Sequence, residues 1–312
     1  MFALRGIAVS LNCFVLLYCL LSVLVAIAWR PLKPLHVAQQ SVAAILFELR
    51  IFPLVASVIV TFALIVPSFQ VLEPLSIDER MGAMPLALGV CALLLIAYSI
   101  FRAIAAQTRT KRVVTRWLQG AQPLKTNTNS TVTFQSGRES PPLIVVGVRN
   151  PRVLVSESTI RLLSPDELDM ALKHEFEHMK SRDNLKRLIL IFCPFPGMAK
   201  LESAWAQAAE LAADDAAVSN QSEALNLAAA LVKLSRLVLV KSPPVSATGF
   251  VAGSVSQRVT RLLAWDEASK ARRVRIRTWF LIPFAVAVSL LVTIAHGPVL
   301  ARTHAVTEWI VR

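Results

Sequence analysis

The sequence predicts a mostly α-helical membrane protein: four transmembrane helices, with one α+β domain between the third and the fourth. Three observations predict it. Long uncharged runs raise the hydrophobic share to 55% and the mean hydropathy to +0.57, too apolar for an ordinary soluble domain. A long polar stretch separates the third run from the fourth and carries His174, Glu175 and His178 in the order H-E-x-x-H. Clusters of Lys and Arg sit at both edges of that stretch.

The predicted spans are 6–29, 51–72, 84–106 and 278–296, each long enough to cross a hydrocarbon core. Ala26, Ile27 and Ala28 resemble a signal-peptidase site, but the run is too long for a signal core, so an uncleaved anchor is expected. Arg109, Lys111, Arg112 and Arg116 follow the third span, and Lys270, Arg272, Arg273, Arg275 and Arg277 precede the fourth. The positive-inside rule then puts residues 107–277 in the cytoplasm. Both termini fall outside, and residues 297–312 become a short extracytoplasmic tail. Residues 1–106 form the three-span membrane region.

The net charge of +13 does not indicate nucleic acid binding, because much of the Lys and Arg flanks the spans and serves topology and contact with the lipid bilayer. Cys13, Cys19, Cys91 and Cys193 form no CxxC pair, and three of them lie in spans, so neither a disulfide framework nor a thiolate metal site is expected.

Within the central domain, Thr131 to Gln135, Leu143 to Val148 and Arg152 to Ser156 read as short strands before the motif. Such a sheet either offers an edge to an extended substrate or simply covers the next helix. That helix starts at Ser164 as N-cap, with Pro165 at the first position and Glu167 completing a capping box. No Gly or Pro interrupts it to Lys186, so it is expected to run on through Arg182, Asp183 and Asn184. The apolar run after it is too short to span. It either lies on the membrane surface or packs in the core.

On a helix, His174 and His178 share one face, so both imidazoles can reach one zinc ion, with Glu175 beside its open side as general base. Zinc on two histidines needs a third protein ligand. The next helix, Leu201 to about Val218, offers Glu210, with Asp214 one turn on to receive the outer ring N–H of a ligating histidine. The alternative for both is the solvated side of an alanine-rich helix. Asp183, just past the motif, is a further candidate for holding a histidine in this way. Residues 220–241 and 257–268 read as two more helices. Tyr18 and Tyr98 lie in spans, which leaves Arg258 as the candidate oxyanion donor or, alternatively, a structural salt bridge.

HEFEHMKSRDN followed by AELAADDAA, between a third and a fourth span and after a short β region, resembles the BlaR/MecR-type membrane metallopeptidases, the sensor-transducers of β-lactam and methicillin resistance. The resemblance implies a gluzincin-like zinc protease domain. His174 and His178 would be zinc ligands, Glu175 the base, and Glu210 the third ligand with Asp214 behind it. It implies a protein substrate, a cytoplasmic transcriptional repressor, and leaves self-cleavage open. Those sensors carry a penicillin-binding domain after the fourth span, whereas only residues 297–312 follow here, without S-x-x-K. A separate sensor protein is therefore a candidate partner. A housekeeping or CAAX-protease-like enzyme and a non-cleaving signalling scaffold are the competing readings.

Overall fold

A computed structural model describes residues 2–29, 38–73, 82–124, 133–136, 140–238, 248–249, 255–266, 281–294 and 296–311. Three of the described helices are long and apolar enough to cross a membrane. The first is α1 (Phe2–Ala28). The second combines α2 (Gln39–Val60), a π-helical turn (Thr61–Ile65) and α3 (Val66–Leu72) in one rod. Pro67 explains the wide turn. It has no N–H to donate to Ala63 and its ring crowds that carbonyl, and a π turn relieves both problems. The third is α4 (Ala83–Leu118), which carries the expected span and its basic extension as a single helix.

The second rod begins at Gln39, well before the expected 51. Arg50 hid that start, because a charge usually ends a span. Here it is 1% exposed and paired with Glu202.

Of the expected fourth span, α11 (Leu281–Ile294) is described, while residues 278–280 and 295 lie outside the described residues. Residues 297–311 of the expected tail lie, with His296 of the expected span, in α12 (His296–Val311), which packs against α3 and the π turn. Glu73 holds it there, accepting from Arg5 at 2.9 Å and lying 3.4 Å from His304 Nε2.

The sheet has five strands among the described residues: β1 (Gln122–Pro123), β2 (Thr133–Ser136), β3 (Leu143–Val146), β4 (Arg152–Ser156) and β5 (Thr248–Gly249), in the order β1-β2-β4-β3-β5. It is mixed, with β2 and β4 parallel and the other pairs antiparallel. Alternation along β3 divides its residues between two cores. Leu143 and Val145 join the cluster under the motif helix, while Ile144 and Val146 meet Val114, Trp117 and Leu118 of α4. Both faces are covered, which is why the strand reads as an unbroken apolar run.

After α5 (Glu157–Leu162) comes the motif helix, α6 (Pro165–Lys180), then α7 (Asp183–Phe192), α8 (Ala199–Ala217), α9 (Gln221–Val238) and α10 (Val255–Leu263). The continuous helix expected to Lys186 is broken. Arg182 takes φ 53 and ψ 40, left-handed backbone that a non-glycine residue adopts at a cost, and α7 sets off in a new direction. Leu190 of α7, with Leu201, Trp205 and Ala208 of α8, shares one buried cluster with Val25 of α1 and Val42, Ala43 and Leu46 of α2. The apolar run after the motif thus packs in a core, and that core is shared with membrane helices.

Candidate metal centre

The site begins with a firmly started helix. Ser164 Oγ accepts from Glu167 N at 3.3 Å, and Ser164 N donates to Glu167 Oε2 at 2.8 Å, the reciprocal capping box read from the sequence. Glu167 also accepts from Lys233 of α9, at 2.7 and 2.6 Å, which ties the start of α6 to its neighbour. Met170, Ala171, Leu172 and Phe176 pack into the core, and this fixes the azimuth of the helix. His174, Glu175 and His178 are consequently all buried, at 0, 0 and 2% exposed.

The two imidazoles turn Nε2 toward one point, 3.1 Å apart, with their rings nearly perpendicular. Glu210 reaches the same point from α8. Its Oε2 lies 3.5 Å from His174 Nε2 and its Oε1 3.7 Å from His178 Nε2. The outer nitrogens are held by carboxylates: His178 Nδ1 donates to Asp183 Oδ2 at 2.7 Å, and His174 Nδ1 lies 3.0 Å from Asp214 Oδ1. That arrangement orients both rings so that their Nε2 atoms face inward.

The donor set fits a cation. Protons on both Nε2 atoms would set two donors against each other. One ion shared with Glu210 satisfies all three side chains, in the two-histidine, one-carboxylate pattern of catalytic zinc. Glu210 Oε1 and both oxygens of Glu175 are buried without a hydrogen-bond partner among the described residues, as expected for a ligand and for a base whose partners are a cation and a water.

The electrostatics follow from burial and proximity. Burial pushes the Glu175 carboxyl up to about 6; the Glu210 charge adds to this, while His178, His174 and Arg258 oppose it. Burial also disfavours a charged His178, but the Glu210 and Asp183 carboxylates outweigh it and raise that imidazole to about 10. Glu210 is held well below the usual carboxylate range, since His178, His174 and Arg258 overcome its desolvation. Asp214 falls to about 2, with Arg258 the main opponent of burial.

Arg258 enters from α10 and is 2% exposed. It donates to both oxygens of Asp214, from Nε at 2.7 Å and from an Nη at 2.6 Å, and to Glu210 Oε2 at 3.0 Å. Its Nη2 is 3.4 Å from His174 Nε2. Of the two roles open to it, the geometry shows a buried salt bridge that orients the carboxylates.

All the sequence-predicted residues therefore come together: His174, Glu175, His178, Asp183, Glu210, Asp214 and Arg258. Sequence reasoning missed Asn184, whose amide donates to Val145 O and Gly147 O at 3.1 Å and fastens the start of α7 to β3. The adjacent Asp183 and Asn184, both turn formers, were the available signal. Of the two uses open to the sheet, a substrate edge and a cover for the next helix, the edge is partly taken at β3. β5 pairs with β3 at Ile144 and Val145.

A model of the family described as BlaR1 peptidase M56 matches residues 14–262. No curated protein matches the chain.

Proposed function

The chain belongs to the BlaR1 peptidase M56 family, a family of metallopeptidases, and its apolar helices make it a membrane member; from that premise we propose a zinc endopeptidase that cuts a cytoplasmic transcriptional repressor. His174, His178 and Glu210 would hold the ion, with Asp183 and Asp214 orienting the histidines and Arg258 orienting Asp214 and Glu210. Residues 107–277 would form the catalytic domain on the cytoplasmic side of a bacterial inner membrane crossed four times, as the Lys and Arg at both its edges favour. The observation that carries the reading is the convergence of two Nε2 atoms and one carboxylate beside the partnerless Glu175.

Bound zinc supplies Lewis-acid polarisation of the scissile carbonyl and acidifies water. Glu175, raised toward neutrality by burial, takes the proton of the attacking water on a carboxylate oxygen and passes it to the leaving amine. His178 and His174, with Arg258, keep Glu210 ionised, Arg258 also fixes it in place, and Asp183 orients His178.

The test compares wild type with Glu175→Ala, both purified in detergent, for bound zinc and for cleavage of a repressor encoded nearby. Zinc in both with cleavage only by wild type is the expected result. Equal cleavage by the variant would remove Glu175 from the role of base. Zinc in both and cleavage by neither would favour a scaffold or another substrate.

A further inference from the structure

A pocket of about 440 Å³ opens where α4, α7 and the start of α8 meet. Arg102 lines it and is the twentieth residue of α4; twenty residues of helix rise about 30 Å, the thickness of a hydrocarbon core. Beyond Arg102 the same helix carries Arg109, Lys111, Arg112 and Arg116 and runs on to the β sheet. The pocket thus lies at the depth of lipid headgroups, where the span gives way to its basic extension.

Arg187 of α7 joins Arg102 in the wall. Six of the described arginines are not exposed. Four of them, Arg5, Arg50, Arg258 and Arg261, each pair with a carboxylate. The two with no carboxylate partner among the described residues are the two that line this pocket. Each is seated on an aromatic ring instead: Arg187 Cζ lies 5.9 Å from the centre of the Trp205 ring, and Arg102 Cζ 5.7 Å from that of Tyr98. A ring face steadies a guanidinium without consuming its N–H donors, which lie in the plane of the group.

The rest of the wall suits an anion attached to something apolar. Ala199 and Glu202 belong to the first turn of α8, a helix of 19 residues with no side-chain cap, and that end carries the positive pole of the helix dipole. Gly197, at φ 86, turns the chain into it. Glu202 is the one carboxylate of the described wall, and Arg50 neutralises it at 2.8 Å, so the two guanidiniums remain in excess. Leu190, Ile191 and Phe195 form an apolar side.

We propose that this pocket binds the headgroup phosphate of an anionic phospholipid, with Arg102 and Arg187 donating to its oxygens and the apolar side meeting the start of its acyl chains. Basic pockets beside span ends are suited to such headgroups. The depth of the pocket and its apolar side favour a lipid over a free phosphate, which would use the guanidiniums alone. The site stands whether or not the metal-centre reading holds.

The test titrates the full chain, delipidated in detergent, with dioleoyl phosphatidylglycerol and separately with dioleoyl phosphatidylcholine, reading bound lipid by native mass spectrometry. One saturable phosphatidylglycerol per chain, held more tightly than phosphatidylcholine, is expected. Arg102→Gln and Arg187→Gln should each weaken it about ten- to hundredfold, the worth of a hydrogen bond from a charged donor. Arg109→Gln removes the same charge from an exposed residue of the same helix outside the pocket, and should leave binding unchanged. Ala206→Phe should abolish binding by filling the pocket without touching a charge, which keeps the test decisive if an arginine variant does not fold.

Equal weakening by Arg109→Gln would reduce the effect to general surface attraction and overturn the site. Equal affinity for phosphatidylcholine would overturn the selectivity for an anionic headgroup. Inorganic phosphate that displaces phosphatidylglycerol at equal concentration would overturn the lipid as occupant and assign the pocket to free phosphate.

Discussion

His178 gives its outer ring proton to Asp183 across 2.7 Å, and the chain reverses between them only because Arg182 adopts left-handed backbone. An unbroken helix would have carried Asp183 around to another face, five residues on, out of reach of the imidazole. The local strain at Arg182 is therefore the cost of orienting a candidate ligand.

If so, Asp183→Ala should lower zinc affinity about 10- to 100-fold while leaving the fold intact. Competition with a chelating dye, alongside circular dichroism, checks both halves, and unchanged affinity would dismiss the carboxylate's role.

Arg182 is exposed, so Arg182→Gly should be neutral or stabilising, while a β-branched Arg182→Val should destabilise by about 1–2 kcal/mol. Thermal unfolding in detergent measures the difference. The opposite order would show that the left-handed turn is not what strains the junction.

Glu167 titrates below its ordinary range: burial works against the charge, but Lys233 and the Ser164 backbone outweigh it. A depressed carboxylate stabilises the fold above its unfolded value near 4.5 and loses that contribution as pH falls through the lower folded value. Glu167→Gln should consequently cost stability near neutrality, and its deficit against wild type should shrink as pH drops below about 4.5. A deficit that is constant across that window counts against the ion pair.

Arg258→Met should destabilise the apo protein by about 3–5 kcal/mol, because it strands Asp214 and Glu210 as buried charges. Saturating zinc should recover part of the loss, since the ion neutralises Glu210. Arg258→Lys should recover only part of it too, as a single ammonium nitrogen cannot reproduce the planar fork that donates from three nitrogens to Asp214 and Glu210. Melting curves with and without zinc decide the matter; a loss unaffected by zinc would place Arg258 outside the centre's electrostatics.

Residues 107–277 alone should not yield a monodisperse soluble protein. Leu190, Leu201 and Trp205 bury against Val42 and Leu46 of the second span, and removing the span bares that surface. A fragment that stays monomeric without detergent in size-exclusion chromatography would refute the shared core.

How much of this was legible depends on where the determinants lie. The start of α6 was readable because Ser164, Pro165 and Glu167 act within four residues, and β4 was readable because Asn150 and Pro151 bound a β-rich run. The grouping of His174, Glu175 and His178 followed from helical period alone. The break at Arg182 was not legible. Tertiary demand from His178 and β3 imposes it, and no glycine marks it. The early start of the second rod was hidden for a related reason: Arg50 looked like a boundary charge until its partners Glu202 and Cys193 O, more than a hundred residues away, were in view. Likewise β5, two residues long, has no periodicity to read.

Arg258 lies 44 residues beyond Asp214 in the chain. Ribosomes add about 5–20 residues per second, so Asp214 emerges roughly two to nine seconds before its guanidinium partner. Through that interval the nascent chain already holds both histidines and both carboxylates without their internal cation. Biosynthesis thus delivers the candidate ligands His174, His178 and Glu210 before the salt bridge can form, and α10 is added to them afterwards.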